Sequence, residues 1–353
     1  MKAKRILFII SLVALFSGCF VIMNRHYDEL ARYPYVTEEN RGIILKYLSS
    51  DDINYMISQQ LTPEQFLPFI ETQGFTIRNT LWYKRAKETQ DASNEVIVAF
   101  INDFKEKLDY ATLEPLLKAY SYDTLRTFYE EDNGYVQNAS IVNDPAALLT
   151  RIDVKETLYT YEPKDLAAIK DLPNVSLLKE NHVIRVHKDV VQPLHDLCKD
   201  ISSVNDKTCG NLILTLGYVS YEDQIPFYES MMLKYGKDQF DEYWDYPGQS
   251  EYQLGYTVRF QPAGLPENGI DTDYFELIGE DLEDSKNDEI KELAEWLEAN
   301  AYQYGFIVRY PRDRSNQTHK KHQPFTLRYV GKEAAKTLQD QDQVLEEYQI
   351  EIK

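Results

Sequence analysis

The sequence predicts an α+β protein in two parts: a mainly helical N-terminal region, 27–150, and a C-terminal region, 151–353, that mixes helices with strands. Two observations carry this reading. Between residues 27 and 132 apolar side chains recur every three to four positions in short units, the period of a buried helix face. Beyond residue 150, short branched or aromatic runs bounded by polar turns alternate with helical stretches at irregular spacing, unlike the regular succession of a parallel βαβ sheet. The 353 residues, 43% hydrophobic and 27% charged, suffice for two folded domains and exclude a disordered chain or a multi-span membrane protein. A net charge of −20 opposes binding to nucleic acid.

In chain order, the first segment reads as an export signal. Residues 2–5 (KAKR) form a positive start, 6–16 an apolar stretch, and Ser17-Gly18-Cys19 closes it with small residues before a cysteine. This order is similar to the lipobox of bacterial lipoproteins, which are cut before the cysteine and acylated there. It implies a signal peptide over 1–18, lipidation at Cys19, an anchor and linker over 19–26, and an extracytoplasmic, lipid-anchored location on the bacterial membrane. Phe16 stands where the lipobox usually has leucine. Residues 6–23 are also apolar for just long enough to serve as an uncleaved anchor. Both readings place the remainder outside the cytoplasm.

Thr62-Pro63-Glu64-Gln65 is a capping box with proline at the first helical position, and Gly74 is read as the stop. Residues 94–108 place Ile97, Ile101, Phe104 and Leu108 on one helix face, and 122–129 is a further short helix. The periodicity weakens between 134 and 163, so the domain join is expected near residue 150. Residues 187–199 then read as a helix and 211–218 (NLILTLGY) as a buried strand. A short strand is expected at 255–260, a helix at 288–304 ending on Gly305, strands at 306–310 and 325–330, and a last helix from about 332. Outside the cytoplasm Cys198 and Cys209 are the pair left to oxidise, and the turn-rich SSVNDKT between them lets the chain fold back into a disulfide. The alternative is two separate buried thiols.

The runs LGYVSYEDQ (216–224), PGQSEYQLGYTVRF (247–260), EWLEANAYQYGFIVRYP (295–311) and QPFTLRYVGKEAAK (323–336) closely resemble the VanY-type D-alanyl-D-alanine carboxypeptidases. YEPKDL (161–166) resembles the usual entry into that domain. The resemblance covers roughly 155–349. It implies a Hedgehog/DD-peptidase-like domain with a mainly antiparallel sheet, in a family of zinc peptidases that trim the terminal D-alanine from peptidoglycan stem peptides.

Such enzymes need three protein ligands that leave one metal position open for water, and a carboxylate to take the proton. The family sets its first two ligands in the pattern SxHxxGxAxD, and those positions hold Tyr252 and Arg259 here. Its EPWH supplies the catalytic glutamate and the third ligand, where this chain has Gln323 and Thr326. The arginine of the family's SGYRSYxxQ is Val219, although Ser220, Tyr221 and Gln224 persist. A guanidinium repels a dication, a phenol and a hydroxyl are poor zinc ligands, and an amide has no basicity to accept a proton. The resemblance therefore implies a retained fold with lost catalysis, with no zinc or other cofactor expected.

Other arrangements compete with this one. His319 and His322 have a weak HxxH spacing, read as two solvent-facing histidines in a basic loop. Asp271 and Asp273 read as a turn rather than a calcium loop. Arg259 could bind a ligand carboxylate in a repurposed cleft with Tyr221, Gln224, Ser250, Tyr252 and Gln323, or form an internal ion pair with Glu251 or the acidic loop 280–284. The sequence thus predicts a membrane-anchored, non-catalytic homologue that binds a peptidoglycan stem peptide or an envelope protein. The alternatives are an active D,D-carboxypeptidase with a non-standard metal site and a structural scaffold lipoprotein.

Overall fold

The computed structural model describes residues 2–25, 30, 33–131, 135–179, 182–263 and 288–349. The turn read at Asp271 and Asp273 and the acidic loop 280–284 lie outside them. The chain divides into two compact units, Met1–Glu114 and Pro115–Lys353.

The first unit is helical. Helix α1 (Lys2–Arg25) exposes the side chains described on it, Phe8, Ile9 and Phe16 among them. Among the described residues no helix is long and apolar enough to cross a membrane. The span read at 6–23 includes side chains outside that description. Helices α2 (Glu38–Tyr47), α3 (Ser50–Ser58) and α4 (Pro63–Phe66) bury Ile44, Ile53, Met56 and Phe66 in one apolar cluster. The capping box at α4 forms, with the Gln65 side chain accepting from the Thr62 amide at 2.8 Å. The helix is shorter than expected: it ends at Phe66, and although Leu67 keeps helical backbone angles, Pro68 after it has no N–H to continue the ladder. Gly74, at φ +83°, closes a later turn instead. Helix α5 (Thr80–Thr89) is followed by α6 (Asn94–Phe104), which buries Ile97, Ile101 and Phe104 as the period predicts. Leu108 falls beyond its end, after a 3-10 turn at Lys105–Lys107.

Helix α7 (Leu113–Ala119) spans the division and α8 (Tyr122–Glu131) comes after it. The division lies upstream of the join expected near residue 150, and contacts within the second unit give the reason. The Tyr120 hydroxyl donates to the Leu158 carbonyl, and Phe128 packs on Tyr159. Strand β1 (Ser140–Ile141) pairs in parallel with β2 (Glu156–Thr157). The segment read as a linker is thus stitched into the second unit.

Strand β3 (Leu166–Ala168) pairs antiparallel with β4 (Arg185–His187), which leads directly into α9 (Lys188–Ile201). Cys198 of α9 is joined to Cys209 by a disulfide. Then come β5 (Leu212–Leu216), the long helix α10 (Tyr221–Tyr243) interrupted at Gly236, β6 (Thr257–Pro262) and α11 (Asp288–Asn300). Strand β7 (Phe306–Tyr310), the single turn α12 (Ser315–Thr318), β8 (Gln323–Tyr329) and α13 (Lys332–Gln341) complete the unit. Gly305 takes φ +86° at the end of the turn after α11, as its place in the sequence predicts.

The main sheet is antiparallel with order β5-β6-β8-β7. This bears out the mixed helix and sheet class, with its helical N-terminal region and mainly antiparallel sheet. Strands β6 and β8 are central, and every residue of both is buried except Tyr329 at the end of β8. Their alternation is polar on one face. Thr257, Arg259 and Gln261 of β6 share a face with Thr326 and Arg328 of β8, because Arg259 lies opposite Thr326 and Thr257 opposite Arg328. Buried polar side chains need partners. Where they find them defines the site.

Candidate functional site

The turn that leads into β6 carries the first of these residues. Gly248, at φ +87°, allows the chain to approach so closely that a Cβ there would collide with the Thr157 hydroxyl. Its carbonyl accepts from the Leu158 amide at 2.7 Å and its amide donates to Gln224 Oε1 at 2.9 Å. Ser250 then caps the 3-10 turn Glu251–Leu254, accepting from the Tyr252 amide at 3.4 Å, and Gly255 at φ +75° turns the chain into the strand.

The four positions that the family pattern gives to metal ligands and base lie around this turn and across β6 and β8. Arg259 and Thr326 are direct cross-strand neighbours, whose Cα atoms in such a pair are about 4.5–5.5 Å apart. The Arg259 guanidinium, 3% exposed, sits 4.8 Å from the Trp244 ring centre. The Thr326 hydroxyl donates to Gln323 Oε1 at 3.1 Å, and Gln323 Nε2 donates to the Tyr243 carbonyl at 3.1 Å. Gln323 is thereby committed as both acceptor and donor. A guanidinium, a hydroxyl held by an amide and a phenol make no donor set for zinc. Among the described residues no three His, Cys, Asp or Glu side chains converge where they could hold a metal ion.

Gln224, Ser250, Tyr252 and Gln323 line a cavity of about 30 Å³ with Val219 and Trp244. Space of that size holds one or two waters. Gln224 is a brace rather than a free ligand contact: its Nε2 donates to the Val219 carbonyl at 3.1 Å and to Gln253 Oε1 at 2.9 Å. Tyr221 does not line the cavity. Its ring packs 5.7 Å from Tyr159, and burial, with Tyr135 and Tyr159 nearby, pushes its hydroxyl up to about 12. Tyr256 stacks on His187 at 4.5 Å. Phe227 of α10 and Trp244 just after it also line this cavity, with their rings 5.0 Å apart.

Glu251 does not pair with Arg259. It accepts two bonds from Arg309 of β7, both at 2.8 Å, and lies 3.9 Å from Arg328. Arg309 also donates to Glu346 at 2.6 and 3.1 Å. Arg328, wholly buried, donates to the carbonyls of Leu148 and Thr150 at 2.9 and 3.2 Å. Burial pushes the Glu251 carboxyl up, but the Arg309 and Arg328 guanidinium groups more than offset this and hold it below the usual range. Sequence reasoning missed this network because its members are far apart in the chain. The available signal was an arginine inside each of two apolar runs, FIVRY and TLRY.

Of the two histidines expected to face solvent, one does and the other does not. His319 is exposed at φ +56° after α12. The His322 side chain is only 7% exposed and places Nε2 3.4 Å from Glu298 Oε1, because β8 begins at the next residue and draws it into the fold.

Known proteins are similar to this chain. Residues 183–332 match the model of the VanY family, D-alanyl-D-alanine carboxypeptidase. YodJ of Bacillus subtilis (strain 168) is 29% identical over 65% of this chain and 77% of its own length. A D-alanyl-D-alanine carboxypeptidase of Enterococcus faecium is 26% identical over 65% of this chain and 62% of its own. The solved structure of the LdcB LD-carboxypeptidase is 28% identical, covers 60% of this chain and 89% of its own, and superposes with a TM-score of 0.45.

Proposed function

We propose that this protein is a lipid-anchored, extracytoplasmic and non-catalytic member of the carboxypeptidase family that binds cell-wall peptide. One observation carries the reading: a buried guanidinium, Arg259, stands directly across from Thr326 at the two strand positions where the family pattern has metal ligands. A fixed positive charge there repels a dication, and in a semi-enclosed site that repulsion is poorly screened. Gln323 at the base position has both ends of its amide engaged and cannot take a proton from water. Lipidation at Cys19 is supported by the order of charged, apolar and small residues before it, and by its exposure. An acyl group there would hold both units at the membrane surface, within reach of the wall.

The test is metal content. The full chain, equilibrated with excess zinc and freed of unbound metal, is expected to retain less than about a tenth of an equivalent, measured by elemental analysis. Retention of a full equivalent would overturn the non-catalytic reading, and D-alanine release from a stem pentapeptide would become the next assay.

A further inference from the structure

We infer that cell-wall peptide is held beside the closed zinc frame, in a larger cleft that takes a short peptide bearing both an ammonium and a carboxylate. The inference rests on the peptide-binding reading above and gives it a place. The cleft has a volume of about 920 Å³, the size of a ligand site, against about 30 Å³ for the cavity lined by Tyr252 and Gln323. Asp245 and Tyr310 line both, so the two spaces adjoin. Part of its wall, Tyr135–Gln137, Arg151–Lys155 and Glu346, lies outside the family-matched segment, so the site is built by residues the family frame does not supply.

Its floor is charged and fixed. Arg309 and Glu251 are buried and doubly bonded, and Lys320 holds Asp245 at 3.1 Å while donating to backbone carbonyls. These cations are already matched, so the floor shapes the cleft and recognition falls to groups with capacity to spare. Gln249 Nε2 donates to the carbonyls of Val154 and Glu156, both at 3.0 Å, and so pins the 153–156 wall to the turn before β6. On that wall the Asp153 carboxylate and Lys155 ammonium are exposed and form no ion pair among the described residues. They offer opposite charges to a ligand that carries both. Gln317 lines the same cleft, and its Oε1 is buried with no hydrogen-bond partner among the described residues. An unmet buried acceptor is costly, and a peptide N–H is a donor that would meet it.

Calorimetric titration of the full chain in detergent with a synthetic stem pentapeptide, lysine at its third position and D-Ala-D-Ala at its end, tests the assignment. The charge exchange D153K/K155D conserves net charge and alters only exposed side chains, and is expected to weaken binding about tenfold. Gln317→Leu is expected to weaken it by about three- to fivefold. An unchanged affinity in both variants overturns the inference, and if Tyr252→Ala then abolishes binding, the peptide-binding reading survives at the old cleft. Absence of any heat from the unaltered protein at millimolar peptide overturns both.

Discussion

Restoring Tyr252→His, Arg259→Asp, Gln323→Glu and Thr326→His together is expected to create a zinc site, with about one equivalent bound at a dissociation constant on the order of micromolar or tighter. The geometry for this is present. Positions 259 and 326 face each other across β6 and β8, and 252 sits on a turn whose cap, Ser250, and exit glycine, Gly255, are retained. The change also removes the Arg259 charge, which opposes the metal. Elemental analysis of folded protein, with circular dichroism to confirm the fold, is the measurement. A folded revertant that holds no zinc would show that the four positions are not the family's site. Release of D-alanine is expected to stay low until Val219→Arg is added, because the resemblance gives that position to the residue suited to the substrate's carboxylate.

The second large effect concerns stability. Glu251→Gln is expected to cost about 3–5 kcal/mol, read as a lowered urea midpoint, since it leaves the buried Arg309 and Arg328 with no carboxylate between them. The double variant Glu251→Gln/Arg328→Met should recover part of the loss, because it removes the buried charge left with no carboxylate, while Arg309 keeps Glu346. A midpoint for Glu251→Gln equal to that of the unaltered protein would mean that the network carries no net stability. The pH dependence has a definite sign. Burial acts to raise the Glu251 carboxyl, yet the two guanidinium groups hold it below its ordinary value. Its contribution is therefore complete above the unfolded value of about 4.3 and is lost as the pH falls through the lower folded value. Thermal melts should accordingly show this contribution unchanged from pH 7 to about 5 and declining in stronger acid in the unaltered protein, with the acid step diminished in Glu251→Gln.

Much of the second unit was legible in its residues because the signals were local. FIVRY lies between a left-handed glycine, Gly305, and a proline, Pro311, and forms a strand at the residues expected. The resemblance at Tyr252, Arg259, Gln323 and Thr326 likewise rests on a short pattern with fixed spacing. What was not legible depends on chain segments far apart. The placing of Phe227 and Trp244 against the small cavity depends on α10, which periodicity does not pick out because Pro226 and Gly236 interrupt it. The pairing of Arg309 with Glu251 and Glu346 joins positions separated by 58 and 37 residues, and neither partner announces the other. The stretch around residue 150, rich in Asn, Asp and Pro, reads as a linker in the sequence. Here it is fastened by backbone carbonyls, which every residue type possesses.

Those carbonyls bear on how this domain can be transplanted. The guanidinium of Arg328, sealed from solvent in the central strand, takes its acceptors from Leu148 and Thr150, and β1 clasps the same stretch through β2. A shortened form beginning at 183, where the family match starts, would inherit the cation but not the groups that accept its protons. The smallest autonomous module of this chain therefore begins upstream of Ser140, and the recognisable domain is only part of the piece that inheritance must keep together.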